Sequence, residues 1–236
     1  MTDHSYIDRN IESVRERIRR AAEAVGRRES DITLLAAVKY ADAGEIRHLY
    51  ECGIETVGEN RVQQFLEHGE DEAYSRFKVH FIGTLQTNKV KYIAGRVACI
   101  ESLDSEKLAA EIDKQSKKVG CVTDVLCEIN CGREENKSGI FPEFAEAFCE
   151  DLGKYENLRL RGFMTMAPAG SGSAEYRKYF AETYRLAIDI WQKNIHNIRG
   201  DIKDPIISMG MSGSFEEAIL EGATVVRVGR SLFEKN

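Results

Sequence analysis

The chain has 236 residues, of which 42% are hydrophobic and 31% charged, and a formal net charge of −6 at pH 7. That length suits one large α/β domain whose core needs no disulfide or metal to close it. The acidic balance argues against non-specific binding to nucleic acid or acidic lipid, both of which need a basic surface, and leaves room for a basic pocket that takes one small anion.

Residues 5–25 read as an amphipathic helix, because Ile7, Ile11, Val14, Ile18 and Ala22 recur at three and four with charges between them. The first strand is expected over 33–39, an apolar run of the kind buried on both faces that ends in Lys39. A helix at 42–52 leads to a strand at 54–57 that runs out through Gly58, Glu59 and Asn60. A helix over 61–75 and a strand at 79–83 follow. The same rhythm predicts strands at 97–101, 122–130, 158–164, 205–209 and 223–228, with helices at 86–94, 104–118, 142–153, 174–195 and 214–221. No linker-like composition divides the chain, and the small residues at 167–173 make one loop, so 1–236 reads as a single domain.

Strands that alternate with helices pair in parallel through right-handed crossovers. Eight such units in this length fit a closed (β/α)8 TIM barrel better than an open doubly wound sheet, whose GxGxxG turn after the first strand is missing. The extra N-terminal helix is expected to cover the lower end of the barrel, and a monomer is the default. The six cysteines contain no CxxC pair, and Cys127 with Cys131 has no neighbouring ligands to complete a zinc site. Reduced, mostly buried thiols point to a cytoplasmic protein. The first residues lack the basic-then-apolar order of a signal peptide, and no apolar run approaches the roughly 18 residues of a membrane helix.

A barrel of this kind carries its site at the C-terminal ends of the strands. There the sequence sets Lys39, Asn60, the segment 83–88, Asn130, Met164 to Met166, Ser208 to Ser212, and Arg227 to Gly229. A lysine that closes an apolar strand has a packed stem and a desolvated amine, which frees the nitrogen as a nucleophile for a Schiff base. Its alternative is a lysine that snorkels to solvent at a strand end or pairs with Glu59. The segment Ser208 to Gly213 supplies hydroxyls and glycines just before a helix in which Ser214 and Glu217 have capping-box spacing. Gly229, Arg230 and Ser231 add N–H groups and a cation after the last strand, in the region where barrels hold phosphate. A lysine nucleophile and a phosphate cradle on one rim are what pyridoxal 5'-phosphate (PLP) requires. Arg227 would face the pyridine nitrogen and keep it unprotonated, which weakens the ring as an electron sink; a pairing with a nearby carboxylate is its alternative.

Several segments in the same order resemble the YggS/PROSC family of pyridoxal phosphate homeostasis proteins. They are Ala36 to Lys39 (AAVK), Val57 to Asn60 (VGEN), Val62 and Gln63, His80 to Lys89 (HFIGTLQTNK), Asn136 to Gly139 (NKSG), Gly162 to Pro168 (GFMTMAP), Ser208 to Ser212 (SMGMS) and Glu217 to Gly229 (EAILEGATVVRVG). The resemblance implies a fold-type III barrel like the N-terminal domain of alanine racemase. It assigns the Schiff-base lysine to Lys39, the arginine facing the pyridine nitrogen to Arg227, phosphate contacts to Ser212, Gly229 and Arg230, and a cofactor-lining place to Asn60. His80, Met164, Ser208 and Met209 complete the implied pocket. The chain departs from the family at Val38 and Tyr40, where Ser and Thr are usual, at Arg230, where Thr is frequent, and in its Phe233-to-Asn236 ending.

The resemblance implies a non-catalytic protein that stores PLP for vitamin B6 homeostasis, with apo PLP-dependent enzymes as candidate recipients. A fold-type III amino-acid racemase is the alternative. Such an enzyme needs a second acid/base group, which alanine racemase sets beside an added β-domain for which this chain has no residues left. Tyr40 is expected to point away from the mouth, as the strand neighbour of Lys39. A Schiff-base lyase or aldolase is disfavoured because its lysine commonly sits on a later strand.

Overall fold

The computed structural model describes residues 4–193 and 202–235. Eight strands close into one parallel barrel in sequence order: β1 (Thr33–Ala37), β2 (Thr56–Glu59), β3 (Lys78–Phe81), β4 (Cys99–Leu103), β5 (Thr123–Ile129), β6 (Leu158–Thr165), β7 (Ile206–Met211) and β8 (Val225–Val228). Around them run α1 (Ser5–Glu23), α2 (Ala43–Glu51), α3 (Val62–His68), α4 (Glu106–Val119), α5 (Pro142–Asp151), α6 (Ser173–Lys193), α7 (Phe215–Leu220) and α8 (Arg230–Phe233). The expected (β/α)8 barrel with an extra N-terminal helix is the observed architecture. No helix among the described residues is long and apolar enough to cross a membrane.

The two-residue period of each strand sorts its side chains into two cores. Ala36, Val38, Val57, Val79, Phe81, Val125, Ile207 and Val226 face the helices. Leu35, Ile82 and Val225 meet in the lumen with Ala37 and Ile206 against them, and Cys99, Leu126 and Met164 form a second lumen cluster. Helix starts follow local chemistry. Asp42 and Glu45 make a reciprocal capping box at α2, and the Ser105 hydroxyl accepts from the Leu108 N–H at α4.

Several boundaries differ from the sequence reading. The helix expected over 61–75 stops at His68, before Gly69, and resumes as a 3-10 turn at Glu72–Arg76. The helix expected at 86–94 is a 3-10 helix, Thr87–Tyr92. The last two residues of the helix expected at 174–195 lie outside the described residues. The capping box expected of Ser214 and Glu217 does not form, because the Ser214 hydroxyl turns back to accept from the Met211 N–H at 3.3 Å.

The N-terminal helix does not cover the lower end of the barrel. α1 buries Ile7, Ile11, Val14 and Ile18, each worth about 2 kcal/mol, in the layer between sheet and helices. It packs against α7 and α8 and fills the place in the helical ring that the four-residue α8 leaves open. The Asn10 amide donates to the carbonyls of Leu232 and Glu234, and Arg17 meets Glu216 at 2.6 Å. The lower end carries a cleft of about 680 Å³ instead, lined by Arg15, Arg27, Thr33, Thr56 and Lys78 among others.

Candidate functional site

The turn after β1 is fastened from below and from the side. The Val38 N–H donates to the Gly58 carbonyl at 3.1 Å, and the Gln64 amide donates to the Lys39 carbonyl at 2.8 Å. Lys39 has the parity of Leu35 and Ala37, which places it on the lumen side of the mouth. It lies two residues beyond the strand and is exposed, so the packed stem expected from the sequence is not observed. Tyr40 does not point away as strand alternation predicts, because both residues belong to the turn. Tyr40 is 78% exposed, and the Lys39 Nζ stands 4.8 Å from its ring centre. The pairing of Lys39 with Glu59 is excluded: Glu59 faces the helices and is bound by His68 at 2.6 Å and by the Tyr74 hydroxyl at 2.7 Å.

Below the mouth, a buried polar chain crosses the lumen. His80 Nδ1 lies 2.6 Å from Glu101 Oε1, and the Ser208 hydroxyl donates to Glu101 Oε2 at 2.6 Å. The same hydroxyl oxygen accepts from Arg227 Nη1 at 2.8 Å, and Arg227 Nη2 donates to the Thr165 carbonyl at 2.9 Å. Arg227 is 4% exposed and Glu101 fully buried. The pairing of Arg227 with a carboxylate thus exists, but through Ser208. Burial pushes the Glu101 carboxyl up; the His80 bond, the His80 and Arg227 charges and the Ser208 hydroxyl outweigh it and hold the group below its ordinary value. Burial lowers Arg227, and Glu101 and Glu128 oppose that shift.

β7 and β8 leave the barrel side by side, with Met211 in register with Arg227. Ser212 and Gly229 therefore start adjoining loops, and exposed Arg230 opens α8 behind Gly229. Gly210 has φ +88°, and a Cβ there would come within 2.5 Å of the Ala218 Cβ, so only glycine lets α7 pack this tightly under the loop. A Cβ on Gly229 would stand 3.1 Å from the Ala37 carbonyl oxygen, two residues before Lys39. Met164 is buried in the lumen beside Cys99 and Leu126. Met209 is not part of this gathering: it packs with Ile207 in the layer facing the helices. Asn60 lines a rim cleft of about 350 Å³ with Thr84, Gln86 and Lys89, and its Oδ1 is buried without a hydrogen-bond partner.

Two lumen carboxylates were not singled out in the sequence. Glu101 and Glu128 each interrupt an apolar strand, and a charged residue inside a strand buried on both faces is the signal that could have found them. Burial, then the charge of Asp104, raise Glu128 to about 7 against a smaller opposing pull from Arg227. Its unfolded value is near 4.5, so ionising it in the folded protein costs stability. The penalty is absent below the unfolded value, grows between about 4.5 and 7, and is complete above 7. Glu128→Gln is therefore expected to gain up to about 3 kcal/mol over the parent at pH 8 and nothing at pH 4. Urea unfolding at both pH values measures it, and an equal effect at the two would contradict the assignment.

Comparison with known proteins gives the family and the fold. The family described as "Alanine racemase, N-terminal domain" matches residues 9–236. The pyridoxal phosphate homeostasis protein of Aquifex aeolicus is 42% identical over 94% of this chain and 95% of its own length, and that of Pseudomonas aeruginosa is 35% identical over 97% and 95%. The solved structure of PipY of Synechococcus elongatus with PLP bound superposes with a TM-score of 0.82 at 28% identity, covering 97% of this chain and all of that one. An alanine racemase from Clostridium difficile 630 shares the fold at a TM-score of 0.74 and 20% identity, with 98% of this chain matching 57% of that one. The chain belongs to the alanine racemase N-terminal-domain family and, within it, to the pyridoxal phosphate homeostasis proteins (YggS/PROSC).

Proposed function

We propose that this protein is one cytoplasmic barrel domain that holds PLP covalently through Lys39, as a monomer, and serves PLP homeostasis without catalysing turnover. The residues at the mouth fit that group. The orphaned Asn60 Oδ1 offers a polar atom in need of a partner, and side-chain-free Gly229 leaves backbone open beside the Lys39 turn. Ser212, Gly229 and Arg230 would hold the phosphate by hydroxyl, backbone N–H and guanidinium. When bound, PLP supplies a reactive aldehyde and an electron-accepting ring.

The observation that carries the reading is the fixed guanidinium. Arg227 is clamped by Ser208 and the Thr165 carbonyl on the lumen floor, and it has only donors to present. An arginine there holds the facing nitrogen unprotonated, where a carboxylate would protonate it and strengthen the electron sink. His80 and Glu101 are spent on each other and on Ser208. These residues suit retention and release to apo PLP-dependent enzymes.

One observation favours a racemase: the Tyr40 ring lies beside the Lys39 amine, where a phenol could move a proton. At 78% exposure it has little packed around it to fix its place. Purified PLP-loaded protein is expected to racemise no member of an amino-acid panel above the rate of free PLP, as followed by chiral chromatography. Turnover at about 1 per second or faster, ordinary for an enzyme, would overturn the non-catalytic reading.

A further inference from the structure

Between α1 and α2, three side chains gather that the cofactor reading does not use. His48 lies on α2 and Cys52 is its C-cap residue four positions on, so both project from one face. Asp8 faces them from α1. Its Oδ1 accepts from the Cys52 thiol at 3.1 Å and stands 3.0 Å from His48 Nε2, and the three donor atoms all lie within 4.8 Å of one another. Glu51 Oε2 lies 3.1 Å from the other ring nitrogen of His48, and the His4 ring stacks on it with centroids 5.4 Å apart. Arg15 donates to the carbonyls of Cys52 and Gly53 at 3.3 and 3.1 Å, which ties this end of α2 to α1.

We propose that Asp8, His48 and Cys52 form a binding site for a divalent transition-metal ion of the zinc class, which staples α1 to α2. One nitrogen, one oxygen and one sulfur donor are what such an ion selects, whereas magnesium and calcium prefer oxygen alone. Tetrahedral donors bound at about 2.0–2.3 Å stand roughly 3.4 Å apart, so the two Asp8 contacts, at 3.0 and 3.1 Å, need to open by only a few tenths of an ångström. Glu51 on the far nitrogen of His48 completes the carboxylate–histidine–metal arrangement that orients such a ligand. On binding, the thiol proton leaves to solvent and the thiolate and Asp8 neutralise the ion, with water at the open fourth position. The side chain of Asp8 is 54% exposed, which gives the ion a way in. Sequence spacing gives no sign of this site, because its ligands come from two helices that only packing brings together.

The test uses the PLP-loaded protein, titrated with Zn²⁺ by calorimetry and with Co²⁺ by difference absorbance. One ion per chain is expected, with the near-ultraviolet thiolate-to-cobalt charge-transfer absorption. Cys52→Ser should abolish that absorption, His48→Ala and Asp8→Asn should weaken binding by about 100-fold, and Glu51→Gln by about 10-fold. Zn²⁺ should raise the melting temperature of the parent and not of His48→Ala. Absence of stoichiometric binding, or charge-transfer absorption that survives in Cys52→Ser, would overturn the proposal. The visible absorbance of bound PLP should stay constant throughout, which separates this site from Lys39.

Discussion

Lys39→Ala is expected to abolish covalent retention of PLP. After borohydride reduction the parent should carry the mass of one reduced cofactor, and the variant none; the absorbance that belongs to the lysine-bound cofactor should be missing from the variant. The side chain is exposed and closes no core, so stability should move by less than about 0.5 kcal/mol. That separation makes the result interpretable, because a folded protein that has lost its adduct has lost a nucleophile and not a scaffold. Lys39→Arg sharpens it further. It keeps a cation at the same turn and still lacks an amine that can form the bond, so it should also lose the adduct. An adduct that persists in either variant would move the attachment to another lysine. Ser212, Gly229 and Arg230 should still retain PLP weakly without the covalent bond.

Glu101→Ala should destabilise the protein by about 3–5 kcal/mol, a large share of a typical folding stability. Removing that carboxylate strands three groups at once: the His80 ring, the Ser208 hydroxyl and, behind it, the buried Arg227 guanidinium. The loss is larger than any contact it deletes, because an uncompensated cation remains in the lumen. Ser208→Ala, which takes out the relay but leaves both charges, should cost about 1–2 kcal/mol. Because Glu101 is held below its ordinary value of 4.5, the stabilisation it provides is present above that value and fades as the pH falls through the lower folded value. Urea unfolding at pH 7 and at acid pH measures both effects. A loss below about 1 kcal/mol for Glu101→Ala at pH 7 would show that the chain is not a coupled unit.

Much of the fold was legible because its signals are local. Apolar strand runs, a three-and-four helical period and short loops name a (β/α)8 barrel without any knowledge of contacts. Lys39 and the loops at Ser212 and Gly229 were legible as well, because strand ends in a barrel define one rim. Less visible was how each residue is spent. Arg227 could be read as facing a cofactor or a carboxylate; the barrel's closure lets it do so through Ser208 while Thr165 holds its other nitrogen. Met209 had the right position in a motif and the wrong parity: it follows Ser208, which points into the lumen, so strand alternation turns it toward the helices beside Ile207.

Lys39 shows the division most clearly. Sequence alone determined that a lysine follows the apolar run of the first barrel strand, at the end where such folds keep their chemistry. Only the tertiary structure decided that it sits past the strand in a turn, exposed, with Tyr40 beside its amine and Gln64 fastening its carbonyl. Periodicity reports which face a residue occupies while the strand lasts, and the hydrogen bonds that end a strand are made by residues distant in the chain.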